Sequence, residues 1–152
     1  TAQYMAELKN TGRYEISSDL LSKIQETFVG YYADESETAK TIKSTFEDCG
    51  YLADTHTSVA LCCSDKYVKE TGDETIVVAA STASPYKFAA DVLLSLGASK
   101  PENELESLKM LSDMTGTDIT KPLCGLDSRK VNFTAVIDPK DMLESVLEYA
   151  NK

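Results

Sequence analysis

The run Ile76-Val-Val-Ala-Ala80 constrains the fold of this chain more than any other stretch. It is apolar throughout, β-branched over its first three residues and free of polar alternation. That pattern suits a strand buried on both faces. Such a strand needs cover from two layers and neighbours along both edges. Ser81 and Thr82 follow at its C-terminal end. Ser84 then precedes Pro85, the favoured order of N-cap and first helical residue. Phe88, Val92, Leu93 and Leu96 recur at helical spacing, and Gly97 is placed to end the helix. The unit reads as strand, turn, helix. In open parallel sheets ligands bind beyond the carboxyl ends of the strands. Ser81 to Ser84 occupy that place, with hydroxyls and a helix N-terminus on offer.

The remaining elements are mostly helical. Residues 2–9 read as the end of a helix with Tyr4, Met5 and Leu8 on one side, broken at Gly12. Ser17 or Ser18 caps a second helix whose apolar face is Leu20, Leu21, Ile24 and Phe28. Phe28 to Ala33 fits a short strand or a structured loop, and its Tyr31-Tyr32 pair fits an interface or surface. Asp34 with Glu37 resembles a capping box. Ala39, Ile42 and Phe46 carry the third helix to Gly50. A turn follows, and then a helix from about Thr57 with Val59, Ala60, Cys63, Tyr67 and Val68, stopped at Gly72. Beyond the central unit, Ser99-Lys100-Pro101 opens a helix bearing Leu105, Leu108, Leu111 and Met114. Residues 116–130 read as a loop and Val131 to Ile137 as a weaker strand. Asp138-Pro139 starts a last helix with Met142, Leu143, Val146 and Leu147 apolar.

Five or six helices around one firm strand are uneven for an independent α/β domain. The arrangement fits a strand whose sheet partners lie elsewhere. At 152 residues the chain has the length of a single domain, 1–152, able to bury a core. A net charge of −10 argues against nucleic acid and anionic membrane as partners, since both call for Lys and Arg. No apolar stretch approaches the roughly 20 residues that span a bilayer. Cys49, Cys62, Cys63 and Cys124 lack metal spacing and read as reduced, buried thiols. With one histidine, a His-based metal site is not expected.

Two stretches carry a resemblance. Ser-Thr-Ala-Ser-Pro-Tyr-Lys-Phe at 81–88 and Gly-Tyr-Leu-Ala-Asp-Thr-His-Thr-Ser-Val-Ala at 50–60 resemble segments from the C-terminal part of threonine synthase. That family comprises pyridoxal-phosphate enzymes of the tryptophan-synthase-like fold type. The likeness is strongest from Phe46 to Gly97 and weak after Pro101. The expected fold is α/β: a helix-rich, three-layer-like segment around a small, mostly parallel sheet, part of a larger pyridoxal-phosphate enzyme domain.

The resemblance implies cofactor contacts at Thr82, Ser81, Asp54 and His56. Pyridoxal phosphate works as an electron sink tuned by the group facing its pyridine nitrogen. Enzymes of this fold type place a Ser or Thr there, and the matched position is Thr82, with Ser81 next. On the residues alone, Thr82 reads as capping the turn before Pro85. Asp54, His56 and Thr57 open a helix, where an anion is welcome. The matched family segment lies near the cofactor ring, whereas ordinary N-capping by Asp54 or Thr55 is the other reading. Thr55 stands where the family usually has Pro. Lys87 follows the motif, outside the upstream segment where the family keeps its catalytic lysine, and reads as solvated or as a helper to an anion. No catalytic residue is therefore assigned to this chain. A Gly-x-Ser-x-Gly elbow and a Gly-rich phosphate loop are both missing.

The resemblance implies a cytoplasmic lyase of threonine biosynthesis, converting O-phospho-L-homoserine and water to L-threonine and phosphate. Its upstream part would supply the lysine and the phosphate cradle. The isolated chain is then expected to bind no cofactor, to be inactive and to self-associate. The alternative is a stand-alone α/β binding or interaction module without catalysis.

Overall fold

The computed structural model describes residues 1–99, 101–132 and 134–151. The helices are α1 (Ala2–Thr11), α2 (Ser18–Gln25), α3 (Glu35–Cys49), α4 (Thr55–Thr71), α5 (Ala89–Ser95), α6 (Glu104–Thr115) and α7 (Met142–Ala150). Short 3₁₀ turns stand before α5 (Pro85–Phe88) and α7 (Pro139–Asp141), and two more (Lys121–Leu123 and Leu126–Ser128) lie between α6 and α7.

Local chemistry fixes these boundaries. Asp34 and Glu37 form a reciprocal capping box at the start of α3: the Asp34 carboxylate accepts the Glu37 N–H at 2.8 Å and the Glu37 carboxylate accepts the Asp34 N–H at 3.0 Å. Gly50 ends α3 in the left-handed region, φ 67°, which a Cβ disfavours. Ser17 caps α2 and Ser84 caps the turn at Pro85. Helix α6 starts later than the Ser99-Lys100-Pro101 signal suggests, because Asn103 provides the cap, accepting the Leu105 N–H at 2.9 Å. Lys100, within that signal, lies outside the described residues, as does Phe133 within the expected strand Val131 to Ile137.

The core is built by α3, α5 and α6 together with the Tyr51–Asp54 loop. Ile42, Val92, Leu93 and Leu111 are fully buried, joined by Leu52, Tyr86 and Ala89. Each large apolar side chain buried this way contributes about 1.5–3 kcal/mol. Tyr86 keeps its phenol satisfied by donating to the Thr117 carbonyl at 2.7 Å. Helix α4 packs along α3. An ion pair ties the two, with Lys66 Nζ 2.7 Å from the Glu37 carboxylate and also donating to the Tyr32 carbonyl at 2.8 Å.

Several expectations are corrected. No strand forms among the described residues, so neither the small parallel sheet nor a strand at 28–33 is present. Ile76 to Ala80 runs as extended chain with Ile76 93% and Val78 88% exposed. A strand is defined by its ladder, and among the described residues no ladder forms along the run. Val131, Val136 and Ile137 are likewise exposed without pairing. The apolar faces of α2 (Leu20, Leu21, Ile24) and α7 (Met142, Leu143, Val146, Leu147), together with Phe28, are exposed. Periodicity identifies an apolar face but not what covers it. Cys49 and Cys124 are exposed and Cys62 and Cys63 half-buried, all four with free thiols.

Candidate functional site

The first turn of α4 is where the two singled-out stretches meet. Asp54 is its N-cap, in extended conformation, and its Oδ1 accepts the N–H groups of His56 at 2.9 Å and Thr57 at 3.3 Å. Its carboxylate is 1% exposed. Leu52 and Ala53, both buried, hold the preceding loop down onto the core. The Thr57 hydroxyl donates to Asp54 Oδ2 and lies 3.1 Å from Ser81 Oγ. The Tyr51 phenol donates to that same Ser81 Oγ at 3.2 Å. The end of the extended run is thus tied to the α4 cap by a row of hydroxyls: Tyr51, Ser81, Thr57, then Asp54.

His56 Nδ1 stands 3.5 Å from Asp54 Oδ1, and its ring packs against Phe88, centroids 5.0 Å apart and tilted by 38°. That contact links α4 to the Pro85–Phe88 turn. Burial is the largest single influence on Asp54 and disfavours its charge. The Thr57 hydroxyl, the two backbone N–H groups and His56 act together against it and hold the carboxyl below its ordinary value. Asp54 is therefore a carboxylate at neutral pH, although it sits inside the fold.

The structure brings Asp54, His56 and Ser81 together. Thr82 is next to this cluster in sequence and exposed. Its hydroxyl takes no hydrogen bond from the described residues. Lys87 is exposed on the 3₁₀ turn. Among the described residues no group of His, Cys, Asp and Glu could hold a metal ion. No described helix is long and apolar enough to cross a membrane. Beside Tyr51, a shallow cavity of about 300 Å³ opens between Leu52, Ser84, Pro85, Tyr86 and Thr117. A larger groove of about 490 Å³ between the Pro85–Phe88 turn, α5 and α6 takes no part in the hydroxyl row.

Thr57 belongs with Asp54 and His56 to the helix opening that the sequence singles out, whereas Tyr51 is not among the residues it singles out. A signal for Thr57 was present: a hydroxyl three residues after a capping Asp faces back onto the cap. Tyr51 gave none, because its partner is 30 positions away.

Comparison with known proteins gives a consistent class. The solved structure of pyridoxal-phosphate-bound threonine synthase from Brucella melitensis, an α/β enzyme, superposes over 97% of this chain and 28% of its own length, with a TM-score of 0.66 and 25% identity. In sequence, threonine synthase of Saccharomyces cerevisiae is 29% identical over 91 residues, 57% of this chain and 18% of the yeast protein. Threonine synthase-like 1 of Homo sapiens is 33% identical over 112 residues, 71% of this chain and 14% of the human protein. No protein-family model matches. The chain is related to the threonine synthases and threonine synthase-like 1 proteins, and it corresponds to a minor part of their length.

Proposed function

We propose that the chain is part of a pyridoxal-phosphate enzyme of threonine synthase type and forms the wall that faces the pyridine ring. The observation that carries this reading is the end of the extended run. There Ser81 is anchored from beneath by Thr57 and Asp54, while the neighbouring Thr82 hydroxyl is left exposed and unpartnered among the described residues. A neutral hydroxyl fits a ring nitrogen that needs one hydrogen bond and no full charge. The structural likeness to a pyridoxal-phosphate-bound enzyme over 97% of the chain supports the same reading. When bound, the cofactor supplies an electron sink for reactions at amino-acid carbons. Thr82 would bind and orient the ring edge, Ser81 would hold the strand end in place, and Asp54 and His56 would fix the first turn of α4 beside it.

The reaction that fits is conversion of O-phospho-L-homoserine and water to L-threonine and phosphate, by a cytoplasmic protein longer than this chain. The lysine and phosphate cradle would come from its other residues. The isolated chain would then be inactive. The test is phosphate and threonine release from O-phosphohomoserine by the protein with and without the rest of its encoded sequence. Turnover only with the rest present supports the reading. No turnover in either form, with cofactor bound, would move the chain to another reaction of the same cofactor.

A further inference from the structure

The row of hydroxyls at the α4 cap has a direction. An ionised carboxylate only accepts hydrogen bonds, and each hydroxyl carries one proton. Asp54 is fully buried with two backbone N–H groups already aimed at Oδ1, so its Oδ2 accepts from Thr57. The single Thr57 proton is spent there. At 3.1 Å, Ser81 must then be the donor to Thr57 Oγ1. Ser81 Oγ is left to accept, and Tyr51 donates to it at 3.2 Å. Each proton in the row points toward Asp54.

We infer that Asp54 and Thr57 are positioning residues that lock the hydroxyls of Ser81 and Tyr51 as inward donors. On their open side these two groups offer only oxygen lone pairs, so they receive N–H or cationic groups. Of the two adjacent hydroxyls at the end of the extended run, Thr82 is then the one free to donate outward. Applied to the reading above, on which this consequence rests, Thr82 and not Ser81 donates to an unprotonated ring nitrogen, and Ser81 is closed to that task. The buried charge thereby sorts two adjacent hydroxyls into an acceptor and a donor without touching the ligand.

The direction of the row is tested on the cofactor-free full chain, so its failure is separable from failure of the cofactor reading. Hydroxyl exchange is read in mixed light and heavy water from the deuterium isotope shift on each Cβ, with contacts of the hydroxyl protons mapped by nuclear Overhauser effects. Thr57 and Ser81 should show resolved doublets, and the Ser81 proton should lie against Thr57. Its exchange should be roughly tenfold slower than that of Thr82, which gives one averaged line. Thr57→Val should collapse the Ser81 doublet, and Thr57→Ser should restore it. An averaged Ser81 line in the unaltered chain overturns the inference, whether or not the valine variant folds. So does a Ser81 proton lying against Tyr51, or a doublet that survives Thr57→Val with the amide spectrum unchanged.

Discussion

Asp54 combines two tasks at one residue. It caps α4 and it anchors the Thr57 hydroxyl in a place water does not reach. Asp54→Ala should cost about 1 kcal/mol for the lost cap and a further 0.5–1.5 kcal/mol or so for the lost Thr57 hydrogen bond, read as a lower urea midpoint. The pH dependence has a definite sign. Because folding lowers the Asp54 pKa, its contribution is fully present above the unfolded value of about 3.9. It is lost as pH falls through the folded value. Asp73, held down by the Tyr67 phenol, and Glu37, held down by Lys66, act in the same direction. Asp54→Asn should therefore flatten part, and not all, of the acid-side loss of stability. An unchanged acid limb would mean that Asp54 is equally easy to protonate folded and unfolded. On the proposed reading, Thr82 belongs to the ligand side. In the longer protein, Thr82→Ala should weaken cofactor binding by a few-fold to about tenfold, the worth of one net hydrogen bond. Thr82→Asp should harm turnover more, since it alters the charge at the ring nitrogen. Unchanged kinetics in both variants would return Thr82 to a turn residue.

At the scale of elements, two classes of apolar residue separate. Leu93 and Ile42 are enclosed by their own chain, whereas Ile76, Val78, Leu143 and Val146 face outward. Leu93→Ala should destabilise the isolated chain by about 2–5 kcal/mol. Ile76→Thr should leave the isolated chain's unfolding midpoint nearly unchanged and lower that of the longer protein. Equal effects in the two contexts would show that the run is already packed here. The same separation explains what was legible in the sequence. Caps are local events of three or four residues, so Asp34, Ser17, Ser84, Gly50 and Gly97 could be read directly. The apolar faces of α2 and α7 could be read as faces, but their cover depends on groups far away or outside the chain. The run 76–80 carries the composition of a buried strand without its ladder, because composition does not specify the partner segment. Of the candidate site, the meeting of Asp54 and His56 with Ser81 rested on two motifs and not on spacing. Tyr51 was not legible, because only the folded loop brings it to Ser81.

The whole molecule is a small packed centre with wide apolar margins. α3, α5 and α6 enclose the core, and α4 is fixed to α3 beside it. The extended run and the faces of α2 and α7 lie open. Apolar surface of this kind, next to an unpaired extended edge, favours association. The isolated chain should sediment as a concentration-dependent mixture of species. A strictly monomeric, cooperatively folding chain at high concentration would count against an uncovered margin. The central claim is that the run 76–80 finds its sheet in the rest of a longer pyridoxal-phosphate protein and delivers Ser81 and Thr82 to the cofactor. Amide hydrogen exchange of residues 76–80 tests it most directly, measured at low concentration in the isolated chain and again in the longer protein. These amides should exchange at nearly unprotected rates alone, while those of α3 and α5 are protected, and become protected when the remaining residues are present. Strong protection in the isolated monomer, or none in the longer protein, would contradict the account.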